Sequence, residues 1–202
     1  MSVLGQFHEA YIYGRRIRRL SELLAGLIPP NCSLLDVGCG DGKLARALLD
    51  KRPDLRIEGV DVLVRERVWL PVQAFDGKNL PYREVSFDGV MLIDVLHHTR
   101  DPLVLLREAL RVSRRWLLIK DHVRKGLAAG LRLRFMDYIG NAHHDVALPY
   151  NYLSEGQWEE LRRTLDVKVA EEAKELGLYP KPFDYVFGAD LHFVALWERA
   201  SK

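Results

Sequence analysis

Segments with helical spacing of apolar residues alternate with short apolar runs along most of this chain. Residues 7–28 carry apolar side chains on one helical face and arginines on the other, and two prolines end that helix. The short apolar runs predict strands at 33–37, 55–61, 72–75, 87–93, 116–120, 166–170 and 191–197. Further helices are expected at 43–52, after 101 and after 154. This alternation predicts an α/β fold with a doubly wound, mostly parallel sheet and helices on both faces.

Local signals mark the beginnings of two of these helices. Pro102 suits the first position of a helix, where its missing N–H is not needed. Ser154, followed three residues later by Gln157, is the signature of a capping box. The stretch 63–70 predicts a shorter helix, whereas residues 122–152 interrupt the alternation.

Composition narrows the class of protein. Hydrophobic residues make up 48% and charged residues 29% of the chain, which is typical of a globular protein. The net charge of +2 does not indicate the strongly basic surface that binds nucleic acid. Cys32 and Cys39 are the two cysteines, too few for a disulfide framework. We therefore expect one domain, 1–202, with residues 1–30 as a helical cap, in a cytoplasmic monomer or homodimer that contacts neither nucleic acid nor membrane.

The most informative stretch is Leu-Leu-Asp-Val-Gly-Cys-Gly-Asp-Gly at 34–42. A strand leads into the carboxylate of Asp36, and three glycines follow at Gly38, Gly40 and Gly42 before a helical pattern begins. Glycines allow a ligand to approach the main chain closely. The N–H groups at the helix start favour a carboxylate or phosphate. The stretch therefore predicts a ligand site at the edge of the sheet.

The spacing of this loop indicates which ligand it holds. Dinucleotide-binding folds use G-x-G-x-x-G, but here the spacing is G-x-G-x-G with Asp36 two positions before the first glycine. A carboxylate there repels a pyrophosphate but favours a cationic amino group or sulfonium. This argues against a nicotinamide-dependent oxidoreductase and favours S-adenosylmethionine.

At these residues the chain resembles the class I S-adenosylmethionine-dependent methyltransferases, in particular the methyltransferase type 11 group. The match consists of Asp-Val-Gly-Cys-Gly-Asp-Gly at 36–42 and of Leu80-Pro81 with Ser-Phe-Asp-Gly-Val at 86–90, and the matched motifs cover about 34–112. The resemblance implies a Rossmann-like seven-stranded sheet whose last strand is antiparallel. It also implies S-adenosyl-L-methionine as cofactor, with S-adenosyl-L-homocysteine as product, bound in part by the loop that includes Cys39.

Acidic residues after later strands complete the expected cofactor site. Asp61 lies about twenty residues after the glycines, which suits a carboxylate on the ribose hydroxyls, and Val62 follows it. The resemblance implies that Asp76 accepts from the adenine amine and that the Gly77 N–H meets the ring. Asp94 ends a strand where open α/β sheets bind ligands, and is expected near the methionine amino group. Alternatively these acids cap turns or strand ends.

The acceptor chemistry is expected later in the chain, where six of the seven histidines lie. A hydroxyl acceptor needs a proton acceptor, and histidine titrates near neutrality. His143 and His144, within the expected acceptor-site lid at 122–152, and His98 are the candidate catalytic residues, and His122 is a candidate acceptor contact. No metal is expected, because adjacent histidines point in different directions. The alternative is that these residues are structural.

These observations predict methyl transfer to a small-molecule acceptor with an oxygen, nitrogen or carbon nucleophile. A non-catalytic S-adenosylmethionine-binding partner subunit is one alternative. A lipid-like or macromolecular acceptor is another alternative. The arginines of 7–28 either form a solvated face or contact a ligand or a lipid surface. In the second case Tyr11, Arg15 and Arg18, on one flank of the helix, hold a carboxylate, or the helix rests on anionic lipid.

Overall fold

The computed structural model describes residues 13–126, 129–133, 151–181 and 189–200. Over these residues the helices are α1 (Gly14–Leu27), α2 (Lys43–Lys51), α3 (Pro102–Val112) and α4 (Glu155–Leu165). The strands are β1 (Ser33–Val37), β2 (Arg56–Asp61), β3 (Val72–Ala74), β4 (Phe87–Ile93), β5 (Ser113–His122), β6 (Val167–Lys174) and β7 (His192–Arg199). Short 3₁₀ turns cover Leu96–His98 and Ala189–Leu191.

The seven strands form one sheet in the order β3-β2-β1-β4-β5-β7-β6. Strands β1 to β5 pair in parallel, whereas β7 runs antiparallel to both of its neighbours, β5 and β6. The predicted α/β sheet, its seven strands and its antiparallel last strand are confirmed. Because β1 and β4 are neighbours at the centre, the chain reverses its winding direction there, and open sheets bind ligands at such a point.

Successive strand residues point to opposite faces, which divides the core into two layers. Leu34, Met91 and Leu118 face α1 and α2. Leu35 and Leu117 face α3 and α4 on the other side. All five side chains are completely buried, so both faces of the sheet are covered by helices.

The segment 63–70 was expected to be a short helix, and this prediction is wrong. Its backbone is held at both ends: the Leu63 N–H donates to Asp61 Oδ1 at 2.9 Å and the Trp69 N–H donates to the Asp41 carbonyl at 2.8 Å. A helix over this segment would bond the Trp69 N–H to the carbonyl four residues earlier, and that donor is taken by Asp41 instead. Only Leu70 turns into the core, whereas the Trp69 side chain remains 56% exposed.

The predicted helix starts are confirmed. Asp101 accepts a hydrogen bond from the Leu103 N–H at 3.0 Å, with Pro102 in the first helical position. Ser154 and Gln157 form both bonds of a capping box at the beginning of α4. These local sequence signals therefore fixed where α3 and α4 begin.

Some predictions fall outside the described residues. They concern Tyr11, His143, His144 and most of the expected lid at 122–152. The expected domain limits and the cytoplasmic location also stay predictions. Among the helices that the structure describes, none has the length and apolar character needed to cross a bilayer.

Candidate cofactor and acceptor site

The glycine loop after β1 is tied to the end of β2. The N–H groups of Gly38 and Cys39 both donate to the Val60 carbonyl, at 2.8 and 3.2 Å. Gly42 has φ +79°, and a Cβ built there would lie 1.7 Å from Leu70 Cδ2. Glycine is required at this position by both backbone conformation and space, and α2 begins at the next residue.

Asp61 joins the loop to the turn after β2. Its Oδ2 accepts from the Gly40 N–H at 2.7 Å and its Oδ1 accepts from the Leu63 N–H at 2.9 Å. A Cβ built on Gly40 would meet no atom of the described residues within 4 Å, so this part of the chain leaves the space above the loop open. The buried carboxylate thus fixes the shape of an open cradle, which fits a nucleoside ligand.

Val62 and Asp76 lie on neighbouring turns at this edge. A Cβ built on Gly77 would be 3.3 Å from Val62 Cγ1, so Val62 and Gly77, the residue after Asp76, are adjacent. Asp76 is exposed and accepts from the N–H groups of Lys78 and Asn79 and from Asn79 Nδ2, at 2.6–2.8 Å. These bonds lower the pKa of Asp76 to about 2. Asp76 therefore organises its turn, and its adenine contact stays a prediction.

Asp36 lies beneath the glycine loop and is only 3% exposed. Burial, with the nearby charge of Asp61, raises the pKa of Asp36 to about 8. Burial also raises the pKa of the Cys39 thiol, and Asp36 adds to that effect. The Cys39 sulfur is packed over Gly59, where a Cβ would come within 2.6 Å of it. Cys39 is thus a space-filling thiol rather than a reactive thiolate.

Asp94 stands at the end of β4 with φ +57°, a left-handed conformation uncommon outside glycine. Its Oδ1 accepts from the Lys120 ammonium at 2.5 Å, and its Oδ2 pairs with the Arg16 guanidinium. Burial by itself raises the pKa of Asp94, but Lys120 and Arg16 outweigh it and hold that pKa well below its usual range. The carboxylate is therefore already paired with two cations, and its contact with a ligand amino group stays a prediction.

Arg16 corrects one interpretation of the N-terminal helix. It belongs to the arginine face that was expected either to be solvated or to act through Tyr11, Arg15 and Arg18, but it reaches the sheet edge and pairs with Asp94. A helical wheel cannot show this contact, since the two residues are 78 positions apart.

Asp121, at the end of β5, holds the turn that follows β4. Its Oδ1 lies 2.7 Å from His97 Nδ1 and accepts from the His122 N–H at 2.8 Å, and its Oδ2 accepts from the Leu96 N–H at 3.0 Å. Asp121 and His97 are 1% and 3% exposed. Burial opposes ionisation of Asp121, but His97 and His122 hold its pKa far below the usual range.

Aromatic and imidazole rings surround this pair. The His97 ring centroid lies 4.1 Å from that of His98 and 4.8 Å from that of His122, and the His97 ring stacks on Tyr152 at 5.5 Å. The antiparallel register sets His122 opposite His192, with ring centroids 4.6 Å apart. We call His97, His98, His122 and His192 the histidine cluster.

Sequence reasoning missed the polar residues that organise this cluster. Lys120 is completely buried, and its Nζ lies 3.1 Å from His192 Nδ1 as well as next to Asp94. A pattern in the sequence could have identified them: the charged run Lys120-Asp121-His122 stands at the end of an apolar strand, and ligands bind at such strand ends in α/β sheets.

Four of these residues also have the side chains of a metal site. Asp94, His97, Asp121 and His122 each bring one possible ligand atom, and all four atoms lie within 4.8 Å of one another. However, the oxygens of both carboxylates already accept from lysine, arginine, histidine or backbone N–H groups. A divalent cation would also lie beside the Lys120 ammonium. The geometry therefore favours an ion-pair and hydrogen-bond network.

A glycine loop above β1, an acid after β2 and a polar cluster after β4 and β5 define the class of S-adenosylmethionine-binding α/β proteins. The chain belongs to the methyltransferase domain family, whose model matches residues 8–172. The expectation of a class I S-adenosylmethionine-dependent methyltransferase fold is thereby confirmed, and S-adenosylmethionine is the cofactor of this family.

Two curated relatives match parts of the chain. One is the 27-O-demethylrifamycin SV methyltransferase of Amycolatopsis mediterranei, 31% identical over 111 residues, which are 48% of this chain and 40% of the relative. The other is the carboxy-S-adenosyl-L-methionine synthase of Campylobacter lari, 35% identical over 49 residues, 24% of this chain and 21% of the relative. The chain thus spans less than half the length of the curated relatives it matches.

Solved structures share the fold. A methyltransferase described as putative, in complex with the Haloferax volcanii Trm112 methyltransferase activator, superposes with a TM-score of 0.67 at 16% identity, covering 97% of this chain and 93% of that one. An S-adenosylmethionine-dependent methyltransferase from Aquifex aeolicus gives a TM-score of 0.61 at 14% identity, with 92% of each chain covered. At these identities the likeness concerns the fold.

Proposed function

We propose that this protein transfers a methyl group from S-adenosylmethionine to a small-molecule acceptor. One observation carries the proposal: the open glycine cradle and the histidine cluster lie at the same edge of one sheet, where β1, β4 and β5 end. Cofactor and acceptor bound there would be neighbours, as an in-line displacement requires. The similarity to the 27-O-demethylrifamycin SV methyltransferase supports a small acceptor.

The cradle residues have distinct roles in this proposal. The loop backbone at Gly38, Cys39, Gly40 and Gly42 would approach the cofactor closely, because no side chain in the described part of the chain fills the space above Gly40. Asp61 would accept from the ribose hydroxyls while it keeps the Gly40 N–H. The adenine would lie near Val62 and Gly77, which are adjacent, with Asp76 at the edge of the ring.

The methionine part of the cofactor would lie near Asp36 and Asp94. When bound, S-adenosylmethionine supplies a methyl group on a positive sulfur. Asp36 is buried and pairs with no cation among the described residues, so it would be stabilised as a carboxylate by that positive charge. Asp94, already paired with Lys120 and Arg16, would offer its backbone carbonyl to the amino group.

The predicted catalytic residues stand as follows. His98 belongs to the histidine cluster and contacts His97 at a ring distance of 4.1 Å, so its place near the acceptor is consistent with the proposal. His143 and His144 lie outside the described residues, and their part in catalysis stays a prediction, as does a monomeric or homodimeric state.

Calorimetric titration with S-adenosylmethionine and S-adenosylhomocysteine, with NAD as a control ligand, tests the cofactor site. We expect binding of both sulfur ligands and not of NAD, and loss of that binding in Asp61→Ala. The matched control is Asp50→Ala, which removes an exposed carboxylate paired with Arg46. Absence of binding by the unmodified protein would overturn the proposal.

Turnover is tested by the formation of S-adenosylhomocysteine with a panel of small hydroxyl, amine and carbon-acid acceptors. Formation that depends on an acceptor supports the proposal. Binding without turnover on any small acceptor would favour the non-catalytic partner subunit or a larger acceptor. The complex of the Haloferax volcanii neighbour with an activator shows that a protein of this fold can have a protein partner.

A further inference from the structure

We propose that Asp36 lets the cofactor site distinguish S-adenosylmethionine from its product, because this carboxyl gives up a proton when the positive sulfur is bound and takes one back when that charge is lost. The inference rests on the proposed methyl transfer and adds a means of releasing the product. It is carried by the place of Asp36 in the sheet and by the partners that its carboxyl lacks.

Asp36 differs from the other buried acids of the described residues. Asp61 and Asp121 each accept at least two hydrogen bonds. Asp36 is 3% exposed, yet within the part of the chain that the structure describes its carboxyl has neither a hydrogen-bond donor nor a cation paired with it. Buried polar groups usually have partners, so a carboxyl without one indicates a site where a ligand supplies the missing charge.

The order of the strands places Asp36 between the residues proposed to hold the two ends of the cofactor. β1 lies between β2, whose last residue Asp61 is the proposed ribose contact, and β4, which Asp94 follows near the proposed amino group. The sulfur of S-adenosylmethionine stands between its ribose and its amino-acid part. A cofactor that reaches from the end of β2 to the end of β4 therefore carries its sulfur over β1.

The register gives the depth of Asp36 below that edge. Asp36 pairs with Gly59, two residues before Asp61, which corresponds to about 7 Å along the strand. On the other side it pairs with Met91, which has no charge. Two unit charges at such a separation interact strongly where little water lies between them, so a sulfonium over β1 acts on Asp36 without touching it.

The protein itself supplies no cation to keep Asp36 ionised. Arg16 of α1 is paired with Asp94, and Lys43 of α2 is paired with Asp41 at 3.0 Å. Burial, with the negative charge of Asp61, raises the pKa of Asp36 to about 8, so the carboxyl is mostly protonated at neutral pH. The titratable and charged groups on the elements around it are Asp61 from β2, Cys39 and Asp41 from the glycine loop, Arg16 from α1, Lys43 from α2 and Asp94 after β4.

The protons and charges balance through the reaction. When S-adenosylmethionine binds, the O–H bond of the Asp36 carboxyl breaks and its proton goes to solvent, since the positive sulfur stabilises the carboxylate. Methyl transfer breaks the bond between the methyl carbon and sulfur, whose electron pair stays on the now neutral sulfur, and a protic acceptor releases its own proton to solvent. The Asp36 carboxylate then takes a proton from solvent. S-adenosylhomocysteine lacks the charge that held the cofactor, which favours its release.

Calorimetric titration at pH 7.2 in phosphate and in Tris, whose ionisation enthalpies differ, counts the protons released on binding to the full chain. We expect S-adenosylmethionine to release about 0.9 proton, the protonated fraction of a carboxyl with a pKa of about 8, and S-adenosylhomocysteine to release far less. Because the free protein holds a proton that the cofactor complex lacks, the cofactor's affinity falls as the pH falls. Between pH 7 and 6 its ratio to the product's affinity should drop about tenfold.

Two variants assign the proton to Asp36. Asp36→Asn should release no proton with either ligand, and its ratio of cofactor to product affinity should be lower and independent of pH. Its binding of S-adenosylhomocysteine should stay close to that of the unmodified protein, which shows that the variant is folded. Asp50→Asn is the matched control, since it removes an exposed carboxylate on α2, and it should behave like the unmodified protein.

Three results would overturn the proposal. The first is equal proton release with both ligands, because the amino group that they share would then be the cation involved. The second is no release with either ligand, and the third is release that persists in Asp36→Asn. Each of these leaves the proposed function standing, whereas absence of binding by the unmodified protein would remove the proposed function itself.

Discussion

Replacement of Asp36 by asparagine should stabilise the protein in the absence of cofactor. Asp36 is 3% exposed, and burial beside Asp61 raises its pKa from the ordinary value of 3.8 to about 8. Its folded form holds a proton that the unfolded chain releases at neutral pH. Asp36→Asn keeps the shape of the protonated side chain and removes the cost of retaining that proton.

The magnitude follows from the pKa values. Because the folded pKa lies above the unfolded one, the stability that Asp36 contributes is complete below pH 3.8 and is lost as the pH rises toward about 8. At pH 7, about 3 pH units above the ordinary value, the loss is about 4 kcal/mol, at about 1.4 kcal/mol per pH unit. The advantage of Asp36→Asn should therefore be small at pH 4, grow through pH 7 and become constant above about pH 8.

Urea unfolding of both proteins at pH 4.5, 7 and 9 measures this difference. Asp88→Asn is the matched control, because hydrogen bonds from Ser33 lower the pKa of Asp88, and the same substitution there should destabilise at neutral pH and have less effect in acid. An Asp36→Asn protein no more stable than the parent at pH 7 would refute the reasoning. Its affinity for S-adenosylmethionine should fall at least tenfold, since a neutral amide does not pair with a cation.

Two further substitutions test the loop and the buried ion pair by urea unfolding. Gly42→Ala should lower the free energy of unfolding by about 2–3 kcal/mol, because its backbone has φ +79° and its Cβ would overlap Leu70, with weaker cofactor binding in calorimetry. Lys120→Met should lower it by about 3 kcal/mol, the lower end for a broken buried ion pair, because Arg16 still pairs with Asp94.

Each has a control in the glycine loop or at the helix start that follows it. Gly40→Ala shares the positive φ, +60°, but its Cβ would meet none of the described residues within 4 Å, so it should cost only the backbone strain of about 1–2 kcal/mol. Lys43→Met removes a partly exposed pair with Asp41, worth at most about 1 kcal/mol. A loss in Gly40→Ala equal to that in Gly42→Ala, or in Lys43→Met equal to that in Lys120→Met, would contradict the packing and burial arguments.

Local patterns in the sequence predicted most elements because their causes are local. The limits of β1 and β4 follow from apolar runs, the beginnings of α3 and α4 from residues within one turn, and the glycine loop from an uninterrupted motif. The helix expected at 63–70 failed for a non-local reason. The Asp41 carbonyl, 28 positions earlier in the chain, takes the Trp69 N–H that a helix would bond to the carbonyl of residue 65.

The sequence by itself thus determined the fold class, the cofactor loop and which strand ends carry acids. The tertiary structure decided which polar residues meet: Arg16 with Asp94 across 78 positions, and Lys120 with His192 across 72. These contacts depend on strand order, on the antiparallel register of β7 and on where α1 packs. None of these three features produces a repeating pattern of apolar and polar residues along the sequence. A residue's type and local spacing show what it can do, whereas the partners that set its charge and direction come from distant segments folded against it.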